Sequence, residues 1–186
     1  MTAPEPVTPR VVLVGPMGAG KTTVGGLLAS RWGVEVRDTD HDVEATAGKE
    51  ISEIFVDEGE DRFRLLERAA VVEALGSHPG VLALGGGAVL DPATRADLRG
   101  HRVVWLRVGL SDATKRVGLG SGRPLLLGNV RSRIKALLDE RAPVYAEVAT
   151  VTEDTDGRTP EDVADEVARA VEDPAAGAPG PARGVS

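Results

Sequence analysis

Cysteine is absent from the 186 residues, so neither disulfides nor thiolate-held metals can support this fold. Aromatic side chains are scarce: two Phe, two Trp and one Tyr leave the core to Val, Leu, Ala and Ile. No run approaches the roughly 20 apolar residues of a membrane-spanning helix. The opening segment, Met1 to Arg10, holds three prolines and no apolar stretch, which excludes a secretory signal there. His41, His78 and His101 show no metal-ligand spacing. An excess of positive charge is missing too. The formal net charge of −7 argues against an extended nucleic-acid surface, and the cytoplasm is the expected location.

What is present alternates between strand and helix. Arg10 to Val14 is a short β-branched run that reads as a buried first strand. Lys21 to Trp32 has helical spacing at Val24, Leu27, Leu28 and Trp32, closed by Gly33. Strands are then expected at residues 34–37, 81–84, 102–108 and, weakly, 148–151. Helices are expected from Asp42 to Ala47, from a Ser52 cap to Asp57, and from Glu60 to Leu75. Asp91-Pro92 opens another, Ser111 caps one running to about Val117, and a further helix over 130–144 is interrupted by Pro143. Thr159-Pro160 starts the last, with Val163, Val167 and Val171 on one side. The Gly-rich stretch 118–128 reads as a mobile lid. Residues 1–9 are expected to be a flexible leader, 10–172 a single domain, and the Pro/Ala/Gly-rich 173–186 a disordered tail. Alternating strands and helices predict an α/β fold, a parallel sheet covered on both faces, with ligands beyond the carboxyl ends of its strands.

Gly15-Pro16-Met17-Gly18-Ala19-Gly20-Lys21-Thr22 fits G-x-x-x-x-G-K-[ST] between a strand and a helix. Its glycines let backbone N–H groups turn toward phosphate oxygens, and the following helix aims its positive end at the same anion. Lys21 is placed to reach β- and γ-phosphates and Thr22 to ligate Mg²⁺. The backbone from Gly18 through Ala19 and Gly20 to Thr23 completes the cradle. No Asn-Lys-x-Asp guanine signature accompanies it.

Asp38-Thr39-Asp40 closes the second strand. An acid there can orient an acceptor hydroxyl and take its proton, and a second can hold waters on a metal. Equally, Asp40 can cap the helix that follows. Gly85-Gly86-Gly87 after the third strand is either a tight turn or a backbone that approaches a ligand closely. Arg64, Arg123, Arg141 and Arg158 have settings unlike the solvated Arg62, Arg68, Arg95 and Arg99, and guanidinium matches carboxylate and phosphate in bidentate fashion.

Taken in order and spacing, the loop, Asp38-Thr39-Asp40, Phe63-Arg64, the glycine triplet, Arg123-Pro124-Leu125-Leu126, Arg141-Ala142-Pro143-Val144-Tyr145 and Asp154-Thr155 through Arg158 resemble the shikimate kinase family. The resemblance spans about Val11 to Val171. It implies a P-loop NTPase of the nucleoside-monophosphate-kinase type with strand order 2-3-1-4-5. It also implies ATP- and Mg²⁺-dependent conversion of shikimate to shikimate 3-phosphate, a step toward chorismate and the aromatic amino acids, by a monomer. On this resemblance Asp40 binds the reacting hydroxyl as base, and Asp38 lies near the metal. Arg64 and Arg141 hold the shikimate carboxylate, with Gly85, Gly86 and Gly87 lending backbone contact. Arg123, with Arg116 close by, covers the phosphates, and Arg158 lies near the adenine. A gluconate-type kinase of the same fold and a non-enzymatic nucleotide-binding regulator are the alternatives.

Overall fold

The computed structural model describes residues 7–121 and 127–173. Most of the expected leader, Arg123 in the expected lid, and the expected tail beyond Asp173 lie outside the described residues.

Five short strands, β1 (Val11–Val14), β2 (Val36–Asp38), β3 (Val81–Ala83), β4 (Val103–Arg107) and β5 (Val151–Asp154), form one sheet in the order β2-β3-β1-β4-β5. Every pairing is parallel, with Val12 beside both Leu82 and Val103, as expected for the fold class. The helices are α1 (Lys21–Trp32), α2 (Thr39–Ala47), α3 (Ile51–Asp57), α4 (Glu60–Ser77), α5 (Pro92–Asp97), α6 (Leu110–Ser121), α7 (Leu127–Val148) and α8 (Pro160–Glu172).

The central strand explains the layering. All four β1 residues are buried, and alternation sends them to opposite faces. Val11 and Leu13 join Leu28 of α1 with Val163 and Val167 of α8, while Val12 and Val14 join Val71 of α4 and Tyr145 of α7. A smaller cluster of Val43, Ile54, Phe63 and Leu66 knits α2, α3 and α4 together beside the sheet. The α8 start is as its sequence predicts: the Thr159 hydroxyl accepts from the Asp162 N–H at 3.1 Å, and Pro160 opens the helix.

Several boundaries differ from expectation, each for a local reason. Gly33 closes α1 in the left-handed region and Val34 N–H returns to the Ala29 carbonyl, so β2 begins at Val36 rather than Val34. The next helix starts at Thr39 rather than Asp42, because the Asp38 carboxylate caps it by accepting from the Asp40 N–H at 2.9 Å. The cap is therefore Asp38, not Asp40. Glu50, in a reciprocal pair with Glu53, opens α3 in place of Ser52. Helix α6 begins at Leu110, ahead of Ser111, and runs on through Ser121, while α7 already starts at Leu127, so part of the expected lid is helical.

The α7 helix also continues past Pro143 to Val148. Pro143 cannot donate to the carbonyl one turn back, a loss of roughly 3 kcal/mol in an isolated helix. Burial of Tyr145, with Ala142, Val144 and Val148 packed on the same cluster, offsets that cost. Because the helix takes Val148, β5 starts at Val151, three residues later than its sequence suggests.

Candidate active site

The phosphate loop leads from β1 into α1. Gly20, at φ 92°, caps α1 without any side-chain hydrogen bond, so the first-turn N–H groups are left for an anion. Gly15 must lack a side chain for another reason: a methyl group there would lie 2.6 Å from the Leu106 carbonyl oxygen of the adjacent strand. Lys21 folds back over the loop, its Nζ donating to the carbonyls of Gly15 (2.7 Å) and Pro16 (3.1 Å). Burial lowers its ammonium from 10.5 to about 8, against the attraction of Asp40 and Asp38.

A cleft of about 450 Å³ opens beside this loop. Gly18, Gly20, Lys21, Thr22 and Thr23 form one wall, Asp38 and Asp40 another, and Arg64, Gly86, Gly87 and Arg141 the far side. Met17, 76% exposed, stands at the mouth, and Ile51, Phe55 and Phe63 supply apolar surface. The two phenyl rings pack with centroids 4.7 Å apart. Asp40 is placed by the first turn of α2, and burial together with neighbouring Asp38 raises its pKa, partly offset by Lys21.

The glycine triplet has a steric logic. None of its members has a positive φ, so conformational freedom is not what requires glycine. Instead each faces a functional side chain. A methyl group at Gly85 would collide with the Asp40 carboxylate, one at Gly87 would lie 2.5 Å from Nη1 of Arg64, and one at Gly86 would lie 3.4 Å from Nη1 of Arg141. Gly86 is also close to the phosphate loop, with the Gly15 carbonyl and the Met17 N–H each 3.6 Å from the same point. Gly85 itself is not on the cleft wall; its N–H donates to the buried Thr39 hydroxyl at 3.0 Å, fixing α2 to the triplet.

The two cleft arginines differ. Arg64 lies over the Phe63 ring and pairs with Glu67 at 2.6 Å and Glu60 at 3.3 Å. Glu67 is almost wholly buried, and burial raises its pKa against the pull of Arg64. Arg141 has no carboxylate within ion-pair range among the described residues, and its buried Nε has no hydrogen-bond partner. A cation held this way is matched to an incoming anion.

Arg116 and Arg158 lie elsewhere, in a separate cavity of about 330 Å³ that shares Gly20 and Thr23 with the cleft and is also lined by Ala19 and Pro160. Arg116 donates to the Gly18 carbonyl at 2.9 Å and to the Thr155 hydroxyl at 3.2 Å. Arg158 donates to the carbonyls of Asp154 and Asp162. The loop is thus flanked by two chambers, one with acids and arginines and one with arginines alone.

Three residues here carry no role in the sequence reading, although two of them, Thr39 and Tyr145, fall within its motifs. Glu67 is one turn after Arg64, Tyr145 one turn after Arg141, and Thr39 lies between the two aspartates. Helical spacing from an already suspected arginine was the available signal for the first two. Arg68 and Arg95, expected on solvated faces, are instead engaged: Arg68 with Thr94 and Asp97, Arg95 with the carbonyls of Val89 and Leu90.

Comparison with known proteins bears on this geometry. The shikimate kinase family model matches residues 17–172. A shikimate kinase of Salinispora arenicola is 66% identical over 87% of this chain and 97% of its own. That of Thermobifida fusca is 60% identical over 91% and 97%. Among solved structures, the Acinetobacter baumannii shikimate kinase in complex with shikimate superposes with a TM-score of 0.81 at 37% identity, covering 89% of this chain and 93% of that one. With the P-loop, the paired aspartates and the two arginines gathered at one cleft, the chain belongs to the shikimate kinase family.

Proposed function

We propose that this chain transfers the γ-phosphoryl group of ATP to the 3-hydroxyl of shikimate, giving shikimate 3-phosphate and ADP. One observation carries the reading: the uncapped start of α1 with Lys21, the Asp40 carboxylate, and Arg141 with its buried Nε unpartnered line a single cleft. A phosphate binder, a proton acceptor and a carboxylate clamp thereby share one cleft of about 450 Å³.

In the proposed reaction the acceptor oxygen attacks the γ-phosphorus as the bond to the ADP oxygen breaks. Asp40, held at the start of α2, accepts the hydroxyl proton. Lys21 and the α1 N–H groups stabilise charge on the transferring and leaving oxygens. Arg64 and Arg141 clamp the shikimate carboxylate, which fixes the ring against Gly86 and Gly87. Arg158 serves the adenine side and Arg116 the phosphates, together with Arg123, which lies outside the described residues.

The donors present suit Mg²⁺. Thr22 and Asp38 supply hard oxygen to the cleft, and among the described residues no cluster of three acids or histidines competes for a metal. That agrees with an ion that keeps several waters and takes phosphate ligands. Thr22 would bind it directly and Asp38 through water, and when bound it neutralises charge on the β- and γ-phosphate oxygens. The same reading carries a monomer acting in the cytoplasm. Among the described residues no helix is long and apolar enough to cross a membrane.

ADP release measured with shikimate, gluconate and AMP tests the assignment. Turnover with shikimate alone is expected. Preference for gluconate would transfer the chain to the related sugar-acid kinases, and silence with every acceptor would make it a nucleotide-binding regulator.

A further inference from the structure

Tyr145 is the single tyrosine of the chain and is only 1% exposed; it is not itself on the acceptor-cleft wall but bonds to Gly86, which is. It lies on α7 one turn beyond Arg141, so both side chains leave the same helix face. Its hydroxyl donates to the Gly86 carbonyl at 2.5 Å. Gly86 in turn faces Arg141, whose Nη1 lies 3.4 Å from where a methyl carbon at Gly86 would sit, and the Tyr145 ring leans on Trp105 of β4 with centroids 5.7 Å apart.

Pro143 falls between Arg141 and Tyr145 and removes one helical hydrogen bond from that turn. Gly86 has no side chain to anchor it, and flexible glycine backbone must be held by its own polar groups. The Tyr145 hydroxyl holds the Gly86 carbonyl, and the Gly86 backbone so held is the surface Arg141 faces. Across the trans peptide, holding the Gly86 carbonyl turns the Gly87 N–H the opposite way, away from Tyr145.

Resting on the shikimate kinase reading of the cleft, we propose that Tyr145 is a positioning residue for the acceptor. It locks the Gly86–Gly87 backbone and the Arg141 guanidinium in one mutual geometry, so that both meet the same carboxylate. Burial pushes the phenol up to about 12, so the donor persists at any assay pH near neutrality.

Tyr145→Phe keeps the ring, its volume and the Trp105 contact while removing the hydroxyl. Expected are a fall of about tenfold or more in kcat/KM for shikimate, by loss of a hydrogen-bonded charge contact, and a KM for ATP within twofold of the parent. In an Arg141→Leu background the same change is expected to cost distinctly less than in the parent, because one of the two positioned groups is already gone. A merely structural tyrosine would lower the melting temperature and leave the shikimate kinetics near parental, and that result overturns the proposal. So does a full tenfold loss in the Arg141→Leu background.

A second measurement does not depend on the variant folding. Biosynthetic 3-fluorotyrosine labels this one position, and its ¹⁹F resonance should shift on addition of shikimate but not of its neutral amide. A resonance unmoved by shikimate, in protein that still turns shikimate over, sinks the tyrosine proposal alone. Absence of shikimate turnover in the parent would sink the functional reading instead.

Discussion

The Arg64 guanidinium fills the space that a side chain at Gly87 would need, Nη1 lying 2.5 Å from where a methyl carbon would sit. The backbone at Gly87 is right-handed, φ −100° and ψ −3°, and any residue can adopt it. Gly87→Ala should therefore fold, with a melting temperature within a few degrees of the parent, because the obstructed atoms end a flexible side chain. Arg64 must swing out and loosen its pair with Glu67. A tenfold or greater rise in KM for shikimate, with KM for ATP unchanged, is expected from steady-state kinetics. Parental KM values would show that Arg64 does not need this seat.

Because Asp38 and not Asp40 caps α2, the two carboxylates can be separated experimentally. Asp40→Asn should lower kcat by roughly 10²–10⁴-fold while thermal stability stays near the parent. Asp38→Ala should lower stability by about 1 kcal/mol through the lost cap. A kcat within a few-fold of the parent in Asp40→Asn would remove it as the proton acceptor.

The pH profile follows from two displaced groups. Asp40 must be ionised to accept a proton, and its pKa is raised by burial and by Asp38. Activity should thus fall on acidification earlier than for an ordinary carboxylate of 3.8. An acid limb that Asp40→Asn leaves in place would assign it to another group.

On the alkaline side, Lys21 in the free protein loses its proton above about pH 8. Bound polyphosphate favours the ammonium, so between about pH 8 and its ordinary 10.5 nucleotide binding should take up a proton and weaken by up to about tenfold per unit. Calorimetry in buffers of different ionisation enthalpy measures the uptake at pH 9. Lys21→Arg, charged throughout, should abolish it, and equal uptake in both proteins would contradict the assignment to Lys21.

The parts of the fold legible in the sequence are those set by short-range pattern. The run Val11–Val14 reads as a buried strand because it is apolar at every position, and α8 because Thr159-Pro160 and a valine stripe mark its start and face. Edge strands were harder to place. β2 and β5 carry Arg37, Asp38, Thr152 and Glu153, show only part of a buried face, and slip by two or three residues. Pro143 misled because packing of the last α7 turns outweighs the missing hydrogen bond. In the cleft, the sequence marks Gly85-Gly86-Gly87 as unusual, but the reason is three side chains arriving from α2, α4 and α7. No local pattern contains that information. The Tyr145 contact with Gly86 is hidden likewise, joining residues on α7 and after β3.

Arg141 is proposed to meet the acceptor carboxylate, and a two-by-two cycle of enzyme and substrate measures this contact most directly. Binding of shikimate and of its neutral amide is titrated against the parent and Arg141→Leu. Removing the guanidinium should cost shikimate roughly 2–5 kcal/mol, about 30- to 3,000-fold, while nucleotide affinity barely changes. The amide should bind the parent poorly and lose little more in Arg141→Leu, since one interaction cannot be lost twice. If the two losses instead multiply, Arg141 supports the fold or the lid, and the carboxylate lies elsewhere.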